Sequence, residues 1–236
     1  MTQSMDNPDP KRRNFVWLMI QWACYILFKA MFRFRFRGME QLLASDGGLL
    51  LINHQSFLDP ILASVPLKRP IVFLARDSLF RVPFVGWVLR KTNVVPINRE
   101  SVGTASLKRA VALMKKGFLV GIFPEGTRSD GPVVAEFKPG FIALARRSSV
   151  PIYPIGIAGA DRALPRGSRL PRPRQIRIVF GDPLGAEDLQ LLKQRGREGE
   201  FLELARGRVI ACQQEAEDWI RNGDQETTAS EQTNHG

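Results

Sequence analysis

Histidine and cysteine are both scarce in this chain of 236 residues, which contains two of each. Cys24 and Cys212 stand far apart and belong to no CxxC pair, so we expect neither a disulfide framework nor a zinc site. This cysteine usage favours a reducing compartment. The sequence also lacks the GxxxxGK(S/T) and GxGxxG loops that bind nucleotides, and it lacks the GxSxG elbow of α/β-hydrolases. Neither nucleotide binding by such a loop nor α/β-hydrolase activity is therefore supported by a motif.

Acidic residues are in short supply too, since 23 Asp and Glu stand against 34 Lys and Arg. The formal net charge of +11 and the pI near 10.3 indicate an anionic partner, which is a nucleic acid, an anionic membrane or a phosphorylated substrate. Composition alone does not choose among the three. A hydrophobic content of 44% is enough for a folded core, and the length fits one domain or one domain with a small appendage.

The N-terminal apolar run, FVWLMIQWACYILF at residues 15–28, falls short of the roughly 20 residues that a spanning helix needs. Basic residues flank this run on both sides, and KAMFRFRFR at residues 29–37 offers no cleavage site for a signal peptide. We therefore predict an apolar, membrane-associating helix over residues 11–31 that lies at the interface, with a spanning or a protein-buried helix as alternatives. Apolar and basic residues then alternate over residues 32–37, which predicts a strand.

Short apolar runs alternate with amphipathic helical patterns across residues 32–222. This alternation predicts an α/β domain with a mostly parallel central sheet flanked by helices. The polar residues 1–10 and 223–236 are predicted to be disordered. The expected strands of the main domain are Leu49–Ile52, Ile71–Ala75, Asn93–Ile97, Phe118–Phe123, Ile152–Ile157 and Gln175–Val179, and the expected helices are Ser101–Lys116, Gly140–Arg147 and Glu200–Arg221.

The segment NHQSFLD follows the strand predicted at residues 49–52, at the end of a parallel strand where active sites lie. It contains Asp59 and His54, the only histidine inside the predicted domain. A neutral imidazole accepts a proton from a hydroxyl, and a carboxylate on its other ring nitrogen fixes the tautomer. Because positions five apart on a helix point about 140° from each other, the segment must turn to bring both side chains together. A turn-stabilising histidine is the alternative.

Two further strand ends carry polar residues. Arg99 closes the segment VVPINR, and Glu125, Gly126 and Arg128 lie in the turn FPEGTRS. An arginine binds a phosphate with two parallel N–H donors, so Arg128 is a candidate phosphate ligand. Lys138 in EFKPG is a weaker candidate of the same kind. Ordinary solvated charges are the alternative for all of these residues.

Four segments in order resemble the blocks that mark the PlsC-type glycerolipid acyltransferases, also called 1-acylglycerol-3-phosphate acyltransferases. The segments are NHQSFLD, VVPINR, FPEGTRS and VPIYPIGI, and the resemblance spans roughly residues 35–185. One departure lies in the second block, where Asn98 precedes Arg99 in place of the aspartate that is usual in the family. This departure leaves the choice of acceptor open.

The resemblance implies the glycerolipid acyltransferase fold. It also implies that an acyl chain moves from acyl-CoA or acyl carrier protein to the sn-2 hydroxyl of lysophosphatidic acid. In that reaction His54 is the general base, Asp59 orients it, no covalent intermediate forms, and no metal or bound cofactor takes part. The residues implied to bind the acceptor's glycerol phosphate are Arg99, Glu125, Gly126 and Arg128, to which we add Lys138.

The partners expected from this resemblance are the acyl donor, a lysophospholipid acceptor and a membrane lipid surface, and not a nucleic acid. The expected location is the cytoplasmic face of a membrane, with the protein peripheral or monotopic. One alternative is a different acceptor, namely glycerol 3-phosphate, another lysophospholipid or a lyso-aminolipid. The other is a basic membrane- or nucleic-acid-binding module without catalysis, against which the complete set of His54, Asp59, Glu125 and Arg128 argues.

Overall fold

The computed structural model describes residues 15–76, 95–97, 104–129, 131–168 and 170–223. The predicted N-terminal tail, almost all of the predicted C-terminal tail, and the candidate phosphate ligand Arg99 lie outside these residues.

Strands and helices alternate along the described chain, as the sequence pattern predicts. The strands are β1 (Arg35–Arg37), β2 (Gly48–Ile52), β3 (Ile71–Arg76), β4 (Val95–Ile97), β5 (Leu119–Ile122), β6 (Ile152–Ala158) and β7 (Arg177–Phe180). The helices are α1 (Phe15–Phe32), α2 (Glu40–Ala44), α3 (Asp59–Ser64), α4 (Thr104–Lys115), α5 (Ile142–Ser148), α6 (Ala160–Ala163), α7 (Ala186–Lys193) and α8 (Glu198–Asn222), with a 3-10 turn at Pro139–Phe141 before α5. The pattern did not anticipate the short helices α2, α3, α6 and α7.

The described strands form one sheet in the order β1-β7-β6-β2-β5-β3-β4. Within it, β6 and β7 pair antiparallel and the other neighbouring strands pair parallel. The central strand β2, with the sequence GLLLI, is buried at all of its positions, as expected for a parallel strand whose two faces are both covered. These observations confirm the predicted α/β fold with a mostly parallel central sheet.

The two large hydrophobic cores of the described residues lie on the two faces of the sheet. Successive side chains of a strand point to opposite faces, so β2 contributes to both cores. Leu50 belongs to the core that also contains residues of α1 and α3, whereas Leu49 belongs to the core that also contains residues of α4, α5 and α8. The loop after β2 is therefore attached to a central strand that is covered on both faces.

The predicted strand over residues 32–37 is shorter in the structure, where only Arg35–Arg37 pairs with the sheet. Phe32 is the last residue of α1, and Arg33 has a φ of 43°, in the left-handed region that breaks both helix and strand. The alternation of phenylalanine and arginine therefore runs across a helix end and a turn. Phe34 is buried and packs edge-on against Phe28, with 6.0 Å between ring centroids.

Helix α1 is anchored to the domain through Gln21, the single polar residue of the apolar run at residues 15–28. Its side-chain Nε2 lies 3.2, 2.8 and 2.7 Å from the carbonyl oxygens of Ser64, Val65 and Leu67, respectively. Ser64 is the last residue of α3, and Val65 and Leu67 follow it, at the end of a helix where carbonyl groups no longer have partners within the helix. Gln21 therefore ties α1 to the helix that begins at Asp59.

The side of α1 that faces away from the domain is apolar and exposed. Its large exposed side chains recur at helical spacing and are Phe15, Leu18, Met19, Trp22, Ile26 and Leu27. None of the helices in the described part of the chain combines the length and the apolar character needed to cross a membrane.

Replacing Gln21 by leucine tests the anchor. We expect Gln21→Leu to lower the free energy of unfolding by about 1–3 kcal/mol, because carbonyl groups at the end of α3 lose a donor. Chemical denaturation followed by tryptophan fluorescence measures the change. Gln214→Leu, at an exposed position of α8, is the matched control and should change stability by less than about 0.5 kcal/mol. Equal stability of the two variants would contradict the anchoring role of Gln21.

Candidate active site

The candidate site forms where the loops after β2 and β5 leave the sheet. The two strands are parallel neighbours, with Leu51 opposite Ile122 in the register. His54 lies two residues beyond the end of β2, and the turn FPEGTRS begins directly after β5. The pairing of these strands therefore brings together two sequence segments that are separated by about seventy residues.

His54 and Asp59 form a hydrogen-bonded pair. Nδ1 of His54 lies 2.8 Å from Oδ2 of Asp59, and the same oxygen accepts the backbone N–H groups of Gln55 and Ser56, each at 2.7 Å. Asp59 is the first residue of α3, and its N–H donates to the carbonyl of Ser56 at 3.3 Å. The segment thus turns as predicted, and the two side chains meet.

The environments of the two side chains differ. Asp59 is fully buried, and Oδ1, its second carboxylate oxygen, has no hydrogen-bond partner among the described residues. Burial raises the pKa of the Asp59 carboxyl, while the hydrogen bonds from His54 and from the backbone N–H groups lower it in part. The His54 side chain is 19% exposed, so the imidazole edge reaches solvent. Since Nδ1 is bound to Asp59, Nε2 is the nitrogen left for a substrate.

An aromatic wall supports the imidazole. The His54 ring stacks on Phe123, with 4.1 Å between centroids and 24° between planes. Phe123 in turn stacks on Phe73 of β3, with 5.7 Å between centroids. One face of the His54 ring is therefore covered by the Phe123 ring. This contact restricts how far the imidazole can turn away from its hydrogen bond to Asp59.

Glu125 is buried beside the backbone of His54. Its Oε1 accepts the His54 N–H at 2.6 Å, and its Oε2 accepts the Ala135 N–H at 2.9 Å. Glu125 is only 2% exposed. Burial raises the pKa of the Glu125 carboxyl, and the two backbone donors lower it in part.

The basic candidates lie around the same turn. The Arg128 guanidinium lies 3.6 Å from the centroid of the Phe57 ring, which is 62% exposed. Gly126 has a φ of +73°, and a Cβ there would lie 3.1 Å from Nζ of Lys138. Thus Gly126 allows the lysine to lie against the turn, and Arg128 is held over the turn that carries His54.

Sequence reasoning did not assign roles to several residues of the site. Asn53 is buried, and its side-chain amide exchanges two hydrogen bonds with the backbone of Ile157, at 2.9 and 2.7 Å. It therefore extends the pairing of β2 with β6 by one residue beyond the strand. The Ser56 hydroxyl donates to the Leu164 carbonyl at 3.1 Å. The closeness of Asn53 and Ser56 to His54 in the sequence could have marked them as site residues. Their hydrogen-bond partners, however, lie far along the chain and could not be predicted.

The structure brings six of the seven predicted site residues to one edge of the sheet, and Arg99 lies outside the described residues. The six are His54, Asp59, Glu125, Gly126, Arg128 and Lys138. Within the ranges that the structure describes, no group of three or more His, Cys, Asp or Glu side chains could hold a metal ion. The arrangement supplies an oriented base and neighbouring cations, which suits proton abstraction from a substrate that carries a negative charge.

Comparisons with known proteins place the chain among acyltransferases. The family model described as Acyltransferase matches residues 33–158, more than half of the chain. A chloroplast 1-acyl-sn-glycerol-3-phosphate acyltransferase of Arabidopsis thaliana, LPAT1, is 31% identical over 193 residues, which cover 80% of this chain and 54% of the relative. A Bacillus subtilis protein with the same enzyme name is 29% identical over 171 residues, or 72% of this chain and 83% of the relative.

A solved structure supports the fold independently. The crystal structure of PlsC from Thermotoga maritima, an LPA acyltransferase, superposes with a TM-score of 0.68, covering 85% of this chain and 78% of that one. The two sequences are 23% identical, so this likeness concerns the fold. The chain spans only about half the length of the chloroplast relatives that it matches.

Proposed function

Because the chain belongs to the PlsC-type acyltransferase family, we propose that it moves a fatty acyl chain from a thioester donor to the sn-2 hydroxyl of lysophosphatidic acid, which gives phosphatidic acid. The donor is acyl-CoA or acyl carrier protein. The observation that carries the proposal is the His54–Asp59 pair, whose imidazole is oriented by a buried carboxylate and open to solvent. The names of the relatives from Arabidopsis thaliana and Bacillus subtilis support the acceptor.

The reaction is a direct transfer in which His54 is the base. Nε2 of His54 takes the proton of the sn-2 hydroxyl, and the hydroxyl oxygen attacks the thioester carbonyl. The carbon–sulfur bond breaks, and the leaving thiolate takes the proton from the imidazolium. Asp59 stabilises the positive charge that His54 carries between these two proton transfers. No covalent bond between acyl chain and protein is needed.

The charged phosphate of the acceptor is bound by the cations around the turn FPEGTRS. Arg128 offers two parallel N–H donors, and its stacking on Phe57 orients the guanidinium before the substrate arrives. Lys138 adds a point charge against the turn, where the absence of a side chain at Gly126 leaves room for its ammonium group. Arg99 completes the set by resemblance to the family.

A membrane surface supplies the acceptor, and we propose that α1 lies on it. Trp22, Ile26 and Leu27 are all exposed on the side of the helix that faces away from the domain. An apolar helical stripe of this kind rests in the interface, and the net charge of +11 favours an anionic surface. The protein is then peripheral or monotopic, on the cytoplasmic face where acyl donors are available.

Replacing His54 by alanine tests the base. We expect His54→Ala to lower the rate of acyl transfer by about 10³-fold or more, because proton abstraction from the hydroxyl is lost. His235→Ala, which changes the only other histidine, is the matched control and should keep full activity. The assay uses labelled acyl-CoA and acyl carrier protein with lysophosphatidic acid, glycerol 3-phosphate, other lysophospholipids and a lyso-aminolipid. Near-normal turnover by His54→Ala would exclude the mechanism, and activity on another acceptor alone would replace lysophosphatidic acid in the proposal.

Arginine 128 and its aromatic support are tested together. We expect Arg128→Lys to raise the KM for the acceptor by about tenfold, because lysine lacks the planar two-donor geometry, and to leave the KM for the donor nearly unchanged. Phe57→Leu removes the stacking and should raise the acceptor KM by about two- to fivefold. Arg147→Lys, at an exposed position of α5, is the control. An equal rise of both KM values in Arg128→Lys would mean that Arg128 supports the loop instead of the phosphate.

Membrane attachment is tested with vesicles of anionic phospholipid. We expect the double variant Trp22→Ser, Leu27→Ser to bind at least about tenfold more weakly in a flotation assay, because two large side chains no longer enter the interface. Its thermal unfolding should match that of the unsubstituted protein, since both positions are exposed. Undiminished binding of the double variant would remove α1 from the membrane-facing surface.

A further inference from the structure

The carboxylate of Glu125 has both of its oxygen atoms occupied by backbone donors. Oε1 accepts the N–H of His54 at 2.6 Å, and Oε2 accepts the N–H of Ala135 at 2.9 Å. The residue is 2% exposed. A glycerol phosphate in the site would therefore find little of this side chain to contact, and its own negative charge would be repelled by the carboxylate. The acceptor-binding role implied by family resemblance does not match these contacts.

The same turn holds the His54 peptide from its other side. The N–H of Ser129 donates to the carbonyl of His54 at 2.8 Å, and the Ser129 hydroxyl donates to the same oxygen at 3.1 Å. The N–H and the C=O of His54 are thus both bound by residues of FPEGTRS. These bonds replace the strand pairing that ends at Ile52, because His54 lies beyond the end of β2.

The turn also supports the ring of His54. Phe123, the residue two before Glu125, stacks on the imidazole with 4.1 Å between centroids. One short segment therefore restrains the backbone of the base on two sides and its ring on one face. The ring nitrogen Nδ1 is restrained separately by Asp59.

We infer that Glu125 is a positioning residue for His54, and that the segment Phe123–Ser129 orients the base as well as contributing a cation. The carboxylate spans the backbones of His54 and Ala135, which keeps the imidazole at the distance from which it reaches the acceptor hydroxyl. The kinetic part of this inference rests on the proposed function. Its structural part concerns the orientation of His54 alone.

Glu125→Gln is the decisive variant, because an amide has one acceptor oxygen where the carboxylate has two. One of the two N–H groups would then face the amide NH2 group. We expect kcat to fall by about a hundredfold, the loss typical of a misplaced catalytic group, with the acceptor KM within about threefold of normal. Glu136→Gln, at the exposed acidic position one residue past Ala135, is the matched control and should change neither constant. A higher acceptor KM at unchanged kcat would show that Glu125 binds the acceptor and would overturn the inference.

Nuclear magnetic resonance of the 236-residue chain labelled with 15N-histidine gives a readout that does not depend on activity. The chain has two histidines, so two imidazole spin systems are expected, and His54→Ala assigns them. In the unsubstituted protein His54 should show a protonated Nδ1 and an unprotonated Nε2. In Glu125→Gln the chemical shifts of the His54 ring nitrogens should change, because the ring moves relative to Asp59 and Phe123, while the His235 signal stays the same. An unaltered His54 signal would overturn the inference even if the protein transferred no acyl chains.

Ser129→Ala covers the case in which Glu125→Gln fails to fold. It removes the hydroxyl bond to the His54 carbonyl and leaves the backbone N–H bond in place. We expect kcat to fall by about two- to fivefold through a small displacement of the base, with the acceptor KM and the thermal unfolding unchanged. An unchanged kcat, or a higher acceptor KM, would count against positioning by this turn.

Discussion

The parallel pairing of β2 with β5 is the constraint on which the site depends. Since both strands run in the same direction, the loops after them leave the sheet at the same edge. One loop carries the base and its acid, and the other carries the carboxylate that binds the peptide of the base. A register shift of one residue would turn the side chains of Leu49 and Leu50 toward the wrong cores. The burial of β2 on both faces thus also sets the alignment of the two loops.

Buried polar groups at the strand ends extend this alignment into the site. Asn53, Asp59 and Glu125 are all buried, and each is bonded to backbone groups. A buried polar side chain is costly without such partners, so these residues favour one conformation of the loops over others. The imidazole of His54 is partly exposed to solvent, whereas these three supporting residues are buried.

Residue patterns were sufficient to predict the sheet and the His54–Asp59 pair, because apolar runs mark buried strands and a His–acid spacing is visible in one segment. They failed where a contact joins a side chain to the backbone of a distant segment. Two examples of such contacts are the hydrogen bond of Glu125 to the His54 N–H and the hydrogen bonds of Gln21 to carbonyl groups at the end of α3. The strand predicted from residue 32 was wrong at its start, since the alternation of Phe and Arg gave no sign of the left-handed turn at Arg33.

Helix α1 belongs to the core as well as to the surface. Phe28 and Phe32 are buried with residues of β2 and α3, while Trp22 and Leu27 are exposed on the helix's outer side. The helix is therefore no flexible tether. If its outer side rests on a bilayer, as proposed, the height of the His54 imidazole above the lipid is a constant of the fold. Such an enzyme would select among lipids by the height of the reacting hydroxyl above the bilayer surface.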